Sequence, residues 1–136
     1  AKPFLVKPNQ QEFEQLTGQS YSDENDIVEA AHNIIEDGIE RVIVSRGSKG
    51  ALFVDNESAM DVKVVGALPG NPVSSIGCGD SMVAGLAVAK LRGYDFQDAI
   101  RLSMSCGVAN LFSAEPGRFD PRQLSSIADR ILVRRL

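Results

Sequence analysis

Histidine occurs once in this sequence, at His32, and tryptophan not at all. His32 falls off the apolar stripe of its predicted helix and among polar neighbours, so it reads as a surface side chain. A Ser-His-Asp hydrolase cannot be built around it. The two cysteines, Cys78 and Cys106, lack metal-ligand spacing and fit free thiols in a reducing, cytoplasmic setting. Basic residues are the minority: 14 against 18 acidic ones, a net charge of −4, where a general nucleic-acid binder needs a basic face. No run of about 18 apolar residues is present, so no membrane-spanning helix is expected. The opening Ala1–Val6 is too short for a signal peptide. Two nucleotide motifs are also missing. Gly47 and Gly50 are followed by Ala51 rather than by a Lys-Ser/Thr pair, and Met82 stands where a third Rossmann glycine would follow Gly77 and Gly79.

What is present is a soluble-protein composition, 43% hydrophobic and 24% charged, in 136 residues, the size of one domain. Phe4–Lys7 reads as a short strand stopped by Pro8. Asn9 with Glu12 three residues on forms a capping-box pattern for a helix that ends at Gly18. Ser22 or Asp23 caps a second helix, with Ile27, Ala30, Ala31, Ile34 and Ile35 at helical spacing and Gly38 closing it. Arg41–Ser45 and Ala51–Asp55 are strands around the turn Arg46–Gly50, and Met60–Val65 alternates like a half-exposed strand. In that turn Arg46 and Lys49 either add charge to a site or are simply solvated. Asp95 caps a later helix carrying Ala99, Ile100, Leu102, Met104, Val108, Leu111 and Phe112. Glu115–Gly117 breaks the chain, and Asp120-Pro121 opens a final helix through Leu132, with Arg134 and Arg135 as a solvated end.

The most informative stretch is Pro69–Leu86. Gly77 and Gly79 flank Cys78, Asp80 follows, and Ser81–Leu91 reads as a buried helix. A glycine turn running into a helix start leaves backbone N–H groups unpaired at the positive end of the helix dipole, which suits an anion. A carboxylate there repels an anion, yet it makes sense as the acceptor of a proton from a nucleophile attacking a held phosphate. Otherwise Asp80 is a cap or first-turn acid.

Ser74-Ser75-Ile76-Gly77-Cys78-Gly79-Asp80-Ser81 resembles the C-terminal signature of the ribokinase-like (pfkB-type) carbohydrate kinases, Asp/Asn-Thr/Ser-x-Gly-Ala/Ser-Gly-Asp. Ser74 and Cys78 depart from that pattern; the glycines and the aspartate do not. Lys7–Glu12 matches the family's Lys-Pro-Asn-x-x-Glu, and Ser45–Ala51 resembles its Ser/Thr-x-Gly-x-x-Gly-Ala loop. The resemblance implies the C-terminal part of a three-layer α/β/α fold, and makes residues 1–136 a nucleotide-binding fragment whose sugar-binding first half is absent. It implies ATP and Mg²⁺ as cofactors and phosphoryl transfer to a sugar-phosphate hydroxyl, of the fructose 1-phosphate, fructose 6-phosphate or tagatose 6-phosphate class. The Ser74-Ser75 pair, Ser81-Met82 and Phe112–Gly117 lean toward the 1-phosphofructokinase and tagatose-6-phosphate kinase branch.

By the same resemblance Asp80 is the general base and the N–H groups of Gly77, Cys78 and Gly79 hold the transferring phosphoryl. Ser45, Gly47, Gly50, Ser75 and Asn110 contact nucleotide, and Asn9 and Glu12 serve magnesium through water. Asn110 is equally readable as an ordinary polar helix position. Self-association, or packing with the missing half, is expected where that half would cover apolar surface. The rival from another class is a nucleotide-binding or assembly module that keeps the fold without catalysis.

Overall fold

Short-range signals account for most of the elements. The computed structural model describes residues 4–66, 77–112 and 122–136. Strand β1 (Leu5–Val6) leads through Pro8 into helix α1 (Gln10–Thr17), which ends on Gly18 in the left-handed conformation. Helix α2 (Glu24–Glu36) starts on Asp23, whose side chain accepts from the Asn25 N–H. Ile27, Ala31 and Ile35, spaced by four, form its buried face. Strands β2 (Arg41–Ser45), β3 (Ala51–Val54) and β4 (Ala59–Val64) follow, with a single 3₁₀ turn at Gly47–Lys49 joining β2 to β3.

Helices α3 (Cys78–Leu91), α4 (Phe96–Leu111) and α5 (Gln123–Ala128) precede the last strand, β5 (Ile131–Arg135). The five strands form one sheet in the order β1-β2-β3-β4-β5. β1 runs parallel to β2, while β2, β3 and β4 are antiparallel, with Ser45 opposite Ala51 and Leu52 opposite Asp61. This is an α/β fold, as expected. The chain divides into two compact units, Ala1–Lys63 with Val133–Leu136, and Val64–Leu132.

In the first unit Phe13 of α1 and Ile27, Ala31 and Ile35 of α2 pack on Val42, Val44, Leu52 and Val54 of the sheet. Burying each such side chain removes apolar surface worth about 1.5–3 kcal/mol. β4 does not alternate as expected: Ala59, Met60, Asp61 and Val62 are all buried. Asp61 belongs to that run because three cations surround its carboxylate, which offsets the cost of withdrawing it from water.

In the second unit α4 is the buried helix, covered from Ser103 to Asn110. The expectation for α3 needs correcting. Ser81, Gly85, Leu86 and Ala89 are buried, but Val83, Val88 and Leu91 are 39%, 38% and 88% exposed. Apolar residues on every side of α3 exceed what one partner helix covers. The two helices approach closely where each carries a glycine. A Cβ on Gly85 would stand 3.0 Å from the Ser103 Cα, and one on Gly107 would stand 2.6 Å from the Met82 Cγ. Ser103 Oγ also donates to the Met82 carbonyl at 2.8 Å.

The final helix likewise differs from expectation. Its predicted start at Asp120-Pro121 lies outside the described residues, and it ends at Ala128 rather than Leu132. Ile131, Leu132 and Val133 are buried, exposed and half-buried in turn, which is a strand's period of two. Arg134 is exposed, as expected of a solvated end, but its guanidinium also pairs with Asp61 and Glu24.

The bend after β2 depends on Gly50, whose φ is +86° and whose Cβ, if it had one, would overlap the Val62 carbonyl oxygen of β4. Backbone cannot yield as a flexible side chain can. Gly50→Ala is therefore expected to lower unfolding free energy by about 2–4 kcal/mol, whereas Gly107→Ala meets chiefly the movable Met82, with the Cys78 carbonyl oxygen at 3.3 Å, and has an unstrained φ, so it should cost less. Urea unfolding of both variants checks the contrast; equal costs would refute it.

Candidate functional site

The candidate residues divide between the two units. In the first, the capping box predicted at Asn9 is formed: the Glu12 N–H donates to Asn9 Oδ1 at 2.8 Å and the Asn9 N–H donates to Glu12 Oε1 at 2.9 Å. The Ser45 N–H donates to the Pro8 carbonyl at 3.1 Å, and Asn9 forms a bridge with Ser45. The Asn9–Glu12 pair and the Ser45–Gly50 turn are thus neighbours. Within the turn, the Arg46 N–H donates to the Gly50 carbonyl at 2.8 Å, the Lys49 N–H to the Arg46 carbonyl at 3.1 Å and the Gly50 N–H to the Gly47 carbonyl at 3.1 Å.

Beneath this turn lies a charge cluster that the sequence reading missed. Arg46 Nη2 donates to Asp61 Oδ1 at 2.9 Å, and Arg134 Nη2 donates to Asp61 Oδ2 at 2.8 Å. Lys63 Nζ stands 3.6 Å from the same Oδ2. Glu24, the first residue of α2, accepts from Arg134 Nη2 at 2.8 Å and lies 3.7 Å from Arg46 Nη1. Hydrogen bonds to Asp61, and then to Glu24, hold the Arg134 guanidinium above its ordinary pKa. Of the two readings left open for Arg46, the solvated one does not hold. Its side chain is 9% exposed and paired with Asp61. The one available signal was an aspartate inside an otherwise apolar strand.

In the second unit, α3 begins at Gly77, which is left-handed with φ 84° and has no side chain to cap the helix. The Ser81 N–H makes the first intrahelical bond, to the Gly77 carbonyl at 2.9 Å. The other long helices start differently, with Asn9, Asp23 and Asp95 each accepting from an N–H of the first turn. Asp80 occupies the third helical position, as Glu12 does in α1, but its carboxylate is exposed and makes no hydrogen bond among the described residues. It does not close a capping box.

Asn110 is buried on α4 and reaches across to this turn. Its Oδ1 accepts from Ser81 Oγ at 3.3 Å, and its Nδ2 donates to Cys78 Sγ at 3.4 Å. The pairing fixes the rotation of α3 and hence the direction of its first N–H groups. A cavity of about 580 Å³ opens beside Asp80, bordered by Gly77, Ala84, Val88, Leu102 and Cys106. Ser75 lies outside the described residues.

The arrangement can receive an anion at the start of α3 and a proton at Asp80. Residues 1–121 match the family model for pfkB family carbohydrate kinases. The chain belongs to that family. Among pfkB relatives, it is 34% identical over 133 residues to the 1-phosphofructokinase of Haemophilus influenzae, covering 98% of this chain and 42% of that protein. It superposes with TM-score 0.78 and 30% identity on the crystal structure of phosphofructokinase-2 from Escherichia coli in complex with substrates and products, covering 92% of this chain and 40% of that one. The Arabidopsis thaliana ribokinase complexed with ribose and ATP shares the fold, with TM-score 0.76 and 22% identity over 91% of this chain and 40% of that one. The chain therefore spans about two-fifths of the length of these pfkB relatives. Among the described residues, no helix is long and apolar enough to cross a membrane.

Both cysteines are free, Cys78 half-buried and Cys106 buried. Burial pushes the Cys106 thiol above its ordinary pKa. Iodoacetamide is expected to label Cys78 well before Cys106 at neutral pH, with Cys106 following only in alkaline solution. The same shift makes the fold lose stability as pH rises past the ordinary thiol value, because the unfolded chain gives up that proton first. Mass-spectrometric alkylation over a pH series tests the order; faster labelling of Cys106 would reverse it.

Proposed function

We propose that this chain carries the nucleotide-binding, base-bearing part of a kinase that transfers the ATP γ-phosphoryl group to a hydroxyl of a sugar phosphate. The observation that carries the reading is the start of α3, where Gly77 leaves the helix without a side-chain cap and Asp80 stands exposed, with no hydrogen bond among the described residues. In the reaction the N–H groups of Gly77, Cys78 and Gly79 stabilise charge on the transferring phosphoryl. Asp80 accepts the hydroxyl proton, the sugar oxygen bonds to phosphorus, and the bond to the departing ADP oxygen breaks. Fructose 1-phosphate, fructose 6-phosphate and tagatose 6-phosphate are the acceptor class in this reading, and the relatives named 1-phosphofructokinase and phosphofructokinase-2 support its fructose members.

The turn at Ser45, Gly47 and Gly50 lies along the nucleotide phosphates in this reading. Ser75 contacts the nucleotide, and Asn110 acts beside it by holding the first turn of α3. Magnesium, if bound, would supply positive charge against the phosphates. Glu12 fits an indirect role toward it. Its Oε1 is engaged by the Asn9 N–H, its side chain is exposed, and among the described residues no three His, Cys, Asp or Glu gather as a direct metal site. Two free cysteines fit a reducing cytoplasm.

Calorimetry of this chain with Mg-ATP is expected to show binding, and Mg-ATP should slow alkylation of Cys78 by covering its turn. In a full-length enzyme containing this chain, Asp80→Asn should lower kcat by about 10² to 10⁴ with little change in ATP affinity. Retained kcat would remove Asp80 from the chemistry.

The exposed side of α3, with Val83, Val88 and Leu91, is the surface that the rest of such an enzyme would cover. Alone, the chain is expected to self-associate through it and to phosphorylate no sugar. Sedimentation over a concentration range tests the first point, and a monomer throughout would count against it.

A further inference from the structure

The charge cluster beneath the Arg46–Gly50 turn has no part in the chemistry above, yet it ties that turn to the far end of the chain. Arg46 holds both ends of the turn through its backbone, donating from its N–H to the Gly50 carbonyl and accepting at its carbonyl from the Lys49 N–H. Its guanidinium is 9% exposed and Nε has no hydrogen-bond partner among the described residues. The position of the head group therefore rests on Asp61 at 2.9 Å and Glu24 at 3.7 Å. Both carboxylates are shared with Arg134, whose Nη2 stands 2.8 Å from each. Arg134 is what keeps two like charges side by side and aimed at Arg46. Lys63, at 3.6 Å, reaches only Asp61 among the described carboxylates, and its side chain and that of Arg134 are both about half-exposed.

We propose that Arg134 of β5 is a positioning residue: acting through Asp61 and Glu24, it fixes the conformation of the Arg46–Gly50 turn and thereby the affinity of the chain for nucleotide. The link to nucleotide rests on the reading of that turn given under Proposed function; the link to the turn's conformation does not. Without Arg134, Asp61 and Glu24 repel each other, and Asp61 has Arg46 and the more distant Lys63 as partners. The Arg46 head group then follows a rotating carboxylate, and the backbone bonds that close the turn open more often.

Two readouts separate these links. The first is amide hydrogen exchange at Lys49 and Gly50, which close the turn, against Val44, buried in β2. The second is calorimetry with Mg-ATP. In Arg134→Met the turn amides should exchange about three- to tenfold faster with Val44 unchanged, and Mg-ATP affinity should fall by a similar factor. Arg134→Lys should restore much of both, and Arg135→Met, removing the neighbouring arginine, should change neither. Should Arg134→Met prove too unstable, Arg134→Gln carries the same comparison.

Unchanged exchange at Lys49 and Gly50 in the folded variant overturns the proposal. Faster turn exchange with full Mg-ATP affinity overturns its link to nucleotide. If the unaltered chain binds no Mg-ATP, the nucleotide reading of the turn fails, while the exchange data still decide whether Arg134 fixes it.

Discussion

A helix must satisfy its first N–H groups, and α3 begins on a residue with no side chain to do so. Other helices of this chain close their starts with Asn9, Asp23 or Asp95. Gly77 does not, and Asp80, three positions into the helix, closes no capping box among the described residues. Donors at such a start are useful only if their direction is fixed. That is the task of the α3–α4 contact. Gly85 and Gly107 let the helices approach, Ser103 bonds to the backbone of α3 at Met82, and Asn110 grips Ser81 and Cys78. Each contact is ordinary by itself, about 1 kcal/mol for a neutral hydrogen bond. Together they turn a helix start into an oriented set of donors.

The first unit solves a different problem with charge. Val44 and Leu52 lie side by side on the sheet, and Leu52 faces Asp61, so a carboxylate sits at the edge of an apolar row. Withdrawing it from water costs several kcal/mol, and a single cation rarely offsets that. Here Arg46 and Arg134 each take one oxygen, so both acceptors are used. An apolar residue in place of Asp61 would pack as well or better, but it would not orient Arg46. Selection of a charge at this position makes physical sense if the quantity that matters is the turn's geometry rather than its stability.

What could be read in the sequence was local. The capping box at Asn9 and Glu12, the cap at Asp95, the stripe of α2 and the glycine turn at Gly47 and Gly50 depend on residues a few positions apart, and each is found in place. The signature at Gly77–Asp80 was legible because it joins a turn to a helix without interruption. What failed depends on distance along the chain. No spacing rule connects Asp61 with Arg134, or Ser81 with Asn110. Ile131 and Leu132, the start of strand β5, read as the end of the preceding helix because so few residues carry little periodicity. α3 was taken as wholly buried because its composition is apolar on every side, and composition does not say which side has a neighbour.

That last misreading bears on how the parts of such a kinase divide their work. α3 turns Ser81, Gly85 and Ala89 toward α4 and leaves Val83 and Val88 39% and 38% exposed, Val88 at the edge of the cavity that also borders α4. A helix that offers donors at its start and apolar surface along its length is coupled to whatever covers that surface. Packing pressed on Val83, Val88 or Leu91 acts on the same rigid body that carries Gly77, Cys78, Gly79 and Asp80. The two sides of α3 thus differ in what holds them. The buried side keeps the helix start in a fixed register with α4, while the exposed side leaves apolar surface open to a covering partner.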